Sequence, residues 1–160
     1  MQRGVSLALV LAVLWCNARS APAGQLSLGR ATARPGQTVT VPVVYAAGAG
    51  PVAAGLATDI AFNPVGLSHP RCASGAALGA SKAVKCAEPK RGLVRIAIYG
   101  LNLDAIPAGE VATVSFDVAP GPRRRVYRLR HKPTAATADG TDFSLAHRSG
   151  AIRVMPGAQP

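Results

Sequence analysis

Apolar and polar residues alternate in short runs along most of this chain. In GQTVTVPVVYAA, Gly36 to Ala47, one face carries Val39, Val41, Val43 and Tyr45, and the other carries Thr38, Thr40, Pro42 and Val44. Period two marks a half-buried strand. The same alternation recurs in QLSL (Leu26, Leu28), LATDIAF (Leu56, Thr58, Ile60, Phe62), LVRIAIY (Val94, Ile96, Ile98) and EVATVSFDV (Ala112, Val114, Phe116, Val118). It returns in VYRLR (Tyr127, Leu129), in FSL and in AIRVM (Ile152, Val154). Turn signals separate the runs: Pro35-Gly36, Gly48 to Pro51, Asn63-Pro64, Pro107 to Gly109, Pro120 to Pro122, Asp139-Gly140 and Ser149-Gly150. The one stretch with helical leanings, Ala73 to Ala87, is weakened by Gly75 and Gly79. The pattern predicts an all-β protein, an antiparallel β-sandwich with jelly-roll topology and about nine strands. Pro42 cannot donate to a ladder, so it is predicted at an edge or a bulge.

The N-terminus follows a different pattern. Arg3 is followed by an apolar run, Val5 to Trp15, and then by the small residues of NARSAPAG. This is the three-part pattern of a secretory signal peptide, assigned to residues 1–23. The run is shorter than the roughly 20 residues that span a bilayer. Cys16 raises the alternative of a lipid-modified cysteine, but the bulky Trp15 stands before it. Cleavage beyond Cys16 is the preferred reading. The remainder is one domain by length, residues 24–155, with a frayed, disordered tail at 156–160. The predicted location is periplasmic or extracellular, and the mature chain is not membrane-spanning.

Export changes the reading of the cysteines. Cys72 and Cys86 are the two left after cleavage, and an oxidising compartment favours a disulfide between them. The intervening CASGAALGASKAVKC shows no obvious strand, so the bond is expected to staple a weakly structured connection. Two cysteines so spaced are too few ligands for a metal site.

Charge and candidate chemistry add limits. The chain has 18 Lys plus Arg against 7 Asp plus Glu, and +11 net. Basicity supports solubility and affinity for polyanions. Nucleic-acid platforms interleave aromatics for stacking, and this chain has few, so nucleic acid is not an expected partner. His69, His131 and His147 show no metal-ligand spacing, there is no G-x-S-x-G elbow, and the acids are scattered. The chain therefore reads as a non-enzyme without cofactor, metal or catalytic residues. DGTD, Asp139 to Asp142, lacks the later ligands of a calcium loop and reads as an Asp-Gly turn. The densest charge is RRRVYRLRHK. With Tyr127 and Leu129 inward, Arg124, Arg128, Arg130 and Lys132 are expected to line one exposed face.

These segments together resemble a cohesin domain, the receptor module of cellulosome scaffolds. The resemblance rests on GQTVTVPVVY, VAAGLATDIAFNPVGL, GLVRIAIYG, AGEVATVSFDV and DGTDFSLAHRSGAIRV. Phe62, Asn63, Pro64 and Leu67 stand where the family has an aromatic-Asp-Pro turn followed by Leu. The resemblance implies a nine-stranded jelly roll that binds a protein through one sheet face. The family's partner is the dockerin, a small calcium-binding helical module. Cellulosomal cohesins place an Asn and an Asp early on the third strand; the matching places hold Gly55 and Ala57, with Asp59 beyond. The recognition pair is thus absent, and the Cys72–Cys86 pair also departs from the usual pattern.

The expected function is therefore protein–protein interaction by an exported, cohesin-like module. The candidate partner-binding residues are Gly55, Ala57, Asp59, Arg124, Arg128, Arg130 and Lys132. The partner is dockerin-like or presents an acidic face. The alternative is a carbohydrate-binding module of related fold, with a polysaccharide as ligand; an anionic envelope polymer is a further partner that the basic row would suit. Sugar binding usually wants a strip of exposed aromatics, and Tyr99 is the main candidate.

Overall fold

The computed structural model describes residues 23–156. Nearly all of the predicted signal peptide lies outside them, as do residues 157–160 of the predicted tail. Twelve strands follow in order: β1 (Gly24–Leu28), β2 (Arg30–Ala33), β3 (Thr38–Ala47), β4 (Gly55–Ala61), β5 (Leu67–Ser74), β6 (Ala83–Lys90), β7 (Leu93–Tyr99), β8 (Gly109–Val118), β9 (Val126–Ala136), β10 (Asp142–Ser144), β11 (Ala146–Arg148) and β12 (Gly150–Val154). They form two sheets. One runs β11-β1-β3-β8-β5. The other runs β2-β12-β9-β4-β7-β6, with β10 also paired to β9. The all-β sandwich is as predicted; the details differ in four ways.

First, the sheets are mixed. β1 pairs with β11 and β12 with β2 in parallel, whereas the remaining pairs are antiparallel. Both parallel pairs involve short strands at one side of the sandwich, where the chain passes between sheets. Second, β2, β5, β6 and β11 raise the count above nine. None of the four shows a clean apolar alternation, because each has an edge position and little core to cover.

Third, Cys72 and Cys86 do not flank a weakly structured connection. They lie in β5 and β6, the edge strands of opposite sheets, and form the predicted disulfide with a Cα separation of 6.1 Å. The bond stitches the two sheets along one side.

Fourth, Pro42 is in an interior strand, β3, between β1 and β8. A ladder irregularity lies between Val43 and Val44. Pro42 is tolerated because of what faces it. Its carbonyl accepts the Gly29 N–H at 2.8 Å, but it has no N–H to return to the Gly29 carbonyl. That carbonyl turns instead to the Ala151 N–H of the other sheet, at 3.4 Å. The chain therefore leaves the first sheet at Gly29 and continues as β2 in the second. A Cβ on Gly29 would lie 2.5 Å from the Pro42 ring, and one on Gly150 would lie 2.6 Å from the Gly29 carbonyl oxygen. The crossing needs both glycines.

The core lies between the sheets. Val39, Val41, Val43 and Tyr45 of β3 are buried, as the alternation predicts, and so are Val114, Phe116 and Val118 of β8. Phe116 packs on Phe62 with ring centroids 5.1 Å apart. After Phe62, the Asn63 side chain accepts the Val65 N–H at 2.9 Å, and its carbonyl accepts the N–H groups of Gly66 and Leu67. That turn delivers buried Leu67 into β5. Tyr127 lies against Gly66, where any side chain would collide with its ring. The Asp139-Gly140 turn also forms. Gly140 has φ 84°, and the Asp139 carboxylate accepts from the Thr137 hydroxyl and the Thr141 N–H. Those bonds, the Thr137 one foremost, hold its pKa below the usual carboxylate value.

Candidate functional site

The outer face of the β2-β12-β9-β4-β7-β6 sheet carries most of the candidate residues. Its side chains follow from strand parity. In β9, Tyr127, Leu129 and His131 are buried, so Arg128, Arg130 and Lys132 point out. In β4, Leu56, Thr58 and Ile60 are buried, so Gly55, Ala57, Asp59 and Ala61 point out. In β7, Val94, Ile96 and Ile98 are buried, so Arg95, Ala97 and Tyr99 point out.

Register then builds rows across the strands. Lys132, Asp59, Arg95 and Ala87 form one row. Thr134, Ala57, Ala97 and Lys85 form the next. The middle of the face is therefore low, floored by Gly55, Ala57, Ala61 and Ala97. Long side chains rise around it. A shallow concavity lies over Ala57, walled by Asp59, Arg95, Lys132 and Thr134.

Asp59 is the acid on this floor. Arg95 donates to it through a fork, Nε to Oδ1 and Nη2 to Oδ2, each 2.7 Å. Those bonds are the main reason its carboxyl titrates below the usual range. Lys132 stands opposite Asp59 on the β9 side, yet the ion pair of Asp59 is with Arg95. Arg128, Arg130 and Lys132 have no carboxylate partner among the described residues. The face is net positive and its centre is sterically open.

Arg124 does not join the others. It precedes β9, and its N–H donates to the Tyr127 hydroxyl at 3.4 Å. The Arg123 to Arg125 segment is loop, because Pro122 and the buried Tyr127 ring fix where the strand can begin.

Two features of this end of the sheet were not foreseen from the sequence. Lys82 is buried, and its Nζ donates to the carbonyls of Ala54 at 3.0 Å and Asn102 at 3.2 Å. It clamps the loop after β7 to the loop before β4. Leu101 and Leu103 of that clamped loop stand in solvent beside Tyr99. A lysine in KAVKC gives no sign of burial, since its carbonyl partners are remote in sequence.

The opposite outer face has different chemistry. Thr38 donates to Asp117 at 2.7 Å, Thr40 and Ser115 share a hydrogen bond at 2.8 Å, and Arg71 reaches Asp117 at 2.6 Å. The Thr38 bond, helped by Arg71 and His69 and opposed by desolvation, leaves the Asp117 carboxyl below its ordinary pKa. These polar groups satisfy one another.

His131 and His147, distant in sequence, come together edge to face with centroids 5.4 Å apart. Among the described residues, no group of three metal-ligating side chains converges.

No protein-family model matches this sequence, and no curated protein sequence matches it. Solved structures do match in three dimensions. The cohesin CaCohA2 of Clostridium acetobutylicum aligns with a TM-score of 0.69 at 21% identity, over 87% of this chain and 94% of that one. The sixth cohesin of Acetivibrio cellulolyticus scaffoldin B, solved with a Cel5 dockerin, aligns with a TM-score of 0.69 at 15% identity, over 82% and 99%. A non-cellulosomal cohesin of the archaeon Archaeoglobus fulgidus aligns with a TM-score of 0.65 at 18% identity, over 82% and 91%. Across bacterial and archaeal modules, then, the likeness extends over nearly their whole length, and the protein has the cohesin fold.

Proposed function

We propose that this protein is a non-catalytic interaction module that binds a protein partner through the outer face of β9, β4, β7 and β6. The observation that carries the reading is the open, alanine-floored centre of that face, bordered on its β9 side by Arg130 and Lys132, which have no acid of their own. The cohesin fold supports it, since similar modules have been solved in complex with dockerins. The partner differs from a usual cellulosomal dockerin in what it must offer. Gly55 and Ala57 provide shape and no hydrogen bonds, so specificity falls to the cations, and the partner presents acidic side chains. The lack of an aromatic strip on this face, where Tyr99 stands alone, disfavours sugar as the ligand.

The same reading takes the protein to be exported, with residues 1–23 removed and 24–155 forming the domain. The Cys72–Cys86 disulfide supports export. Mass spectrometry of the mature protein tests this part: a chain that retains Met1 to Trp15 overturns it.

Affinity capture from the envelope and culture fluid of the producing cells tests the interface. The bait is the wild-type domain beside Ala57→Arg and the double variant Arg130→Ser/Lys132→Ser. The expected result is a protein retained by wild type, released by about 0.5 M salt as its ionic contacts are screened, and lost with both variants. A partner retained equally by all three baits moves the interface elsewhere.

A further inference from the structure

A second cluster lies away from the alanine floor, at the side where β2, β12 and β9 meet. Register places Arg30, Ala151 and Arg128 in one row across the three strands. Arg153 is two residues along β12, beside Thr32 and Val126. All three arginines are exposed and point to the same side as Ala151. With strands about 4.8 Å apart and a rise of about 3.3 Å per residue, their Cα atoms stand within about 10 Å of one another. The side chains of all three line one hollow with the small Ala151. Val126 and Ser149 are also on its walls.

This cluster is built and unneutralised. It exists because Pro42 leaves the Gly29 carbonyl free to cross to Ala151, which brings Arg30 beside β12. Three of the seven acids are occupied elsewhere: Asp59 by Arg95, Asp117 by Arg71 and His69, Asp139 by its own turn. No acid lines the hollow. Like charges on neighbouring strands repel, so the grouping does not serve stability.

We propose that Arg30, Arg128 and Arg153 form a binding site for a single phosphate group carried by a soluble molecule. Three arginines from three strands lining one hollow match a tetrahedral, doubly charged oxyanion better than a planar, singly charged carboxylate. The Ser149 and Thr32 hydroxyls at the rim supply further donors of the type phosphates accept. The hollow is concave, in contrast to the flat contact that a lipid surface makes.

The proposal is independent of the protein-partner reading, and its test keeps the two apart. Inorganic phosphate is titrated at constant ionic strength while backbone amide shifts are followed by NMR. Saturable shifts are expected in Arg30 to Thr32, Gly150 to Arg153 and Val126 to Arg128. Arg30→Ser and Arg153→Ser should each weaken binding about tenfold, the loss of charge-assisted hydrogen bonds, without lowering the thermal midpoint. Ala57→Arg, which obstructs the partner face, should leave the phosphate shifts unchanged. Shifts that do not saturate, that spread equally to Arg95, Arg130 and Lys132, or that survive both arginine changes overturn the proposal. Vesicles containing phosphatidylglycerol provide a second probe. Adsorption that inorganic phosphate fails to displace assigns these arginines to a membrane surface and also overturns it.

Discussion

The two sides of this sandwich are closed by different means. On one side, edge strands β5 and β6 of opposite sheets are joined by the Cys72–Cys86 disulfide. On the other, the chain itself passes between sheets: β1 becomes β2 at Gly29, and β11 crosses between β10 and β12 to pair with β1. The covalent side needs little from its neighbours, and its strands are exposed and poor in apolar residues. The crossing side depends on close backbone approach at Gly29 and Gly150 and on a buried histidine. Each side also borders a site. The disulfide ties β6, at the rim of the proposed partner face, to β5 of the other sheet, and the crossing brings Arg30 to Ala151.

Loss of the disulfide should have the largest effect. The bond closes a sequence separation of 14 residues, which the chain-entropy account values at about 3 kcal/mol. The double variant Cys72→Ala/Cys86→Ala should lower stability in urea by about that amount. Hydrogen exchange should then show β5 and β6 opening first, with β1, β2 and β12 still protected. If protection is lost equally on both sides, they are not separate units, and the contrast drawn between them fails.

The sequence reveals these two sides unequally. Alternation in Val39 to Tyr45 or in Val114 to Val118 reports a strand with one buried face, and those strands were legible. β5 and β6 were not, since an edge strand tied by a disulfide has little apolar face to display. Mid-strand Pro42 pointed to an edge or bulge. The structure shows that a proline in an interior strand can serve where the facing strand is about to leave the sheet. On the candidate face, parity of β9 gave the outward set Arg128, Arg130 and Lys132, yet it misplaced Arg124, because period two does not say where a strand begins. The row Arg30, Ala151, Arg128 was invisible, since Arg30 joins it through the parallel pairing of two short strands about 120 positions apart.

The crossing side can be tested by filling its closest approach. A Cβ at Gly150 meets the Gly29 carbonyl oxygen at 2.6 Å and the Leu28 Cβ at 2.7 Å, and both belong to backbone or its first atom. Gly150→Ala should cost roughly 2 kcal/mol, within the range for overpacking. It should also widen the Ala151 hollow and weaken phosphate binding, while capture by the β4 and β9 face is unchanged. A variant as stable as wild type would show that the crossing has slack the structure does not display.

The smallest effect is expected from acid. His131 is buried on the crossing side between β4 and β11. Its Nε2 lies 3.1 Å from the Arg148 carbonyl oxygen, which can only accept, so Nε2 carries the hydrogen and Nδ1 accepts from the Thr58 hydroxyl at 3.1 Å. Burial pushes its pKa below the usual histidine value, the Arg148 bond opposes this, and nearby His147 adds to the lowering. A lowered folded-state pKa means that the unfolded chain binds the proton first. Stability from this group is full above about pH 6.5, the unfolded value, and falls as pH drops toward the folded value. The lowered pKa values of Asp59, Asp117 and Asp139 act in a separate window, below about pH 4. The thermal midpoint of the wild type should therefore decline between about pH 7 and 5. In His131→Gln the midpoint should start lower, because the bonds to Thr58 and Arg148 are weakened, but it should decline less over that range. If the two curves run parallel, His131 does not titrate differently in the folded state. The acid sensitivity of the crossing side would then have to come from another group.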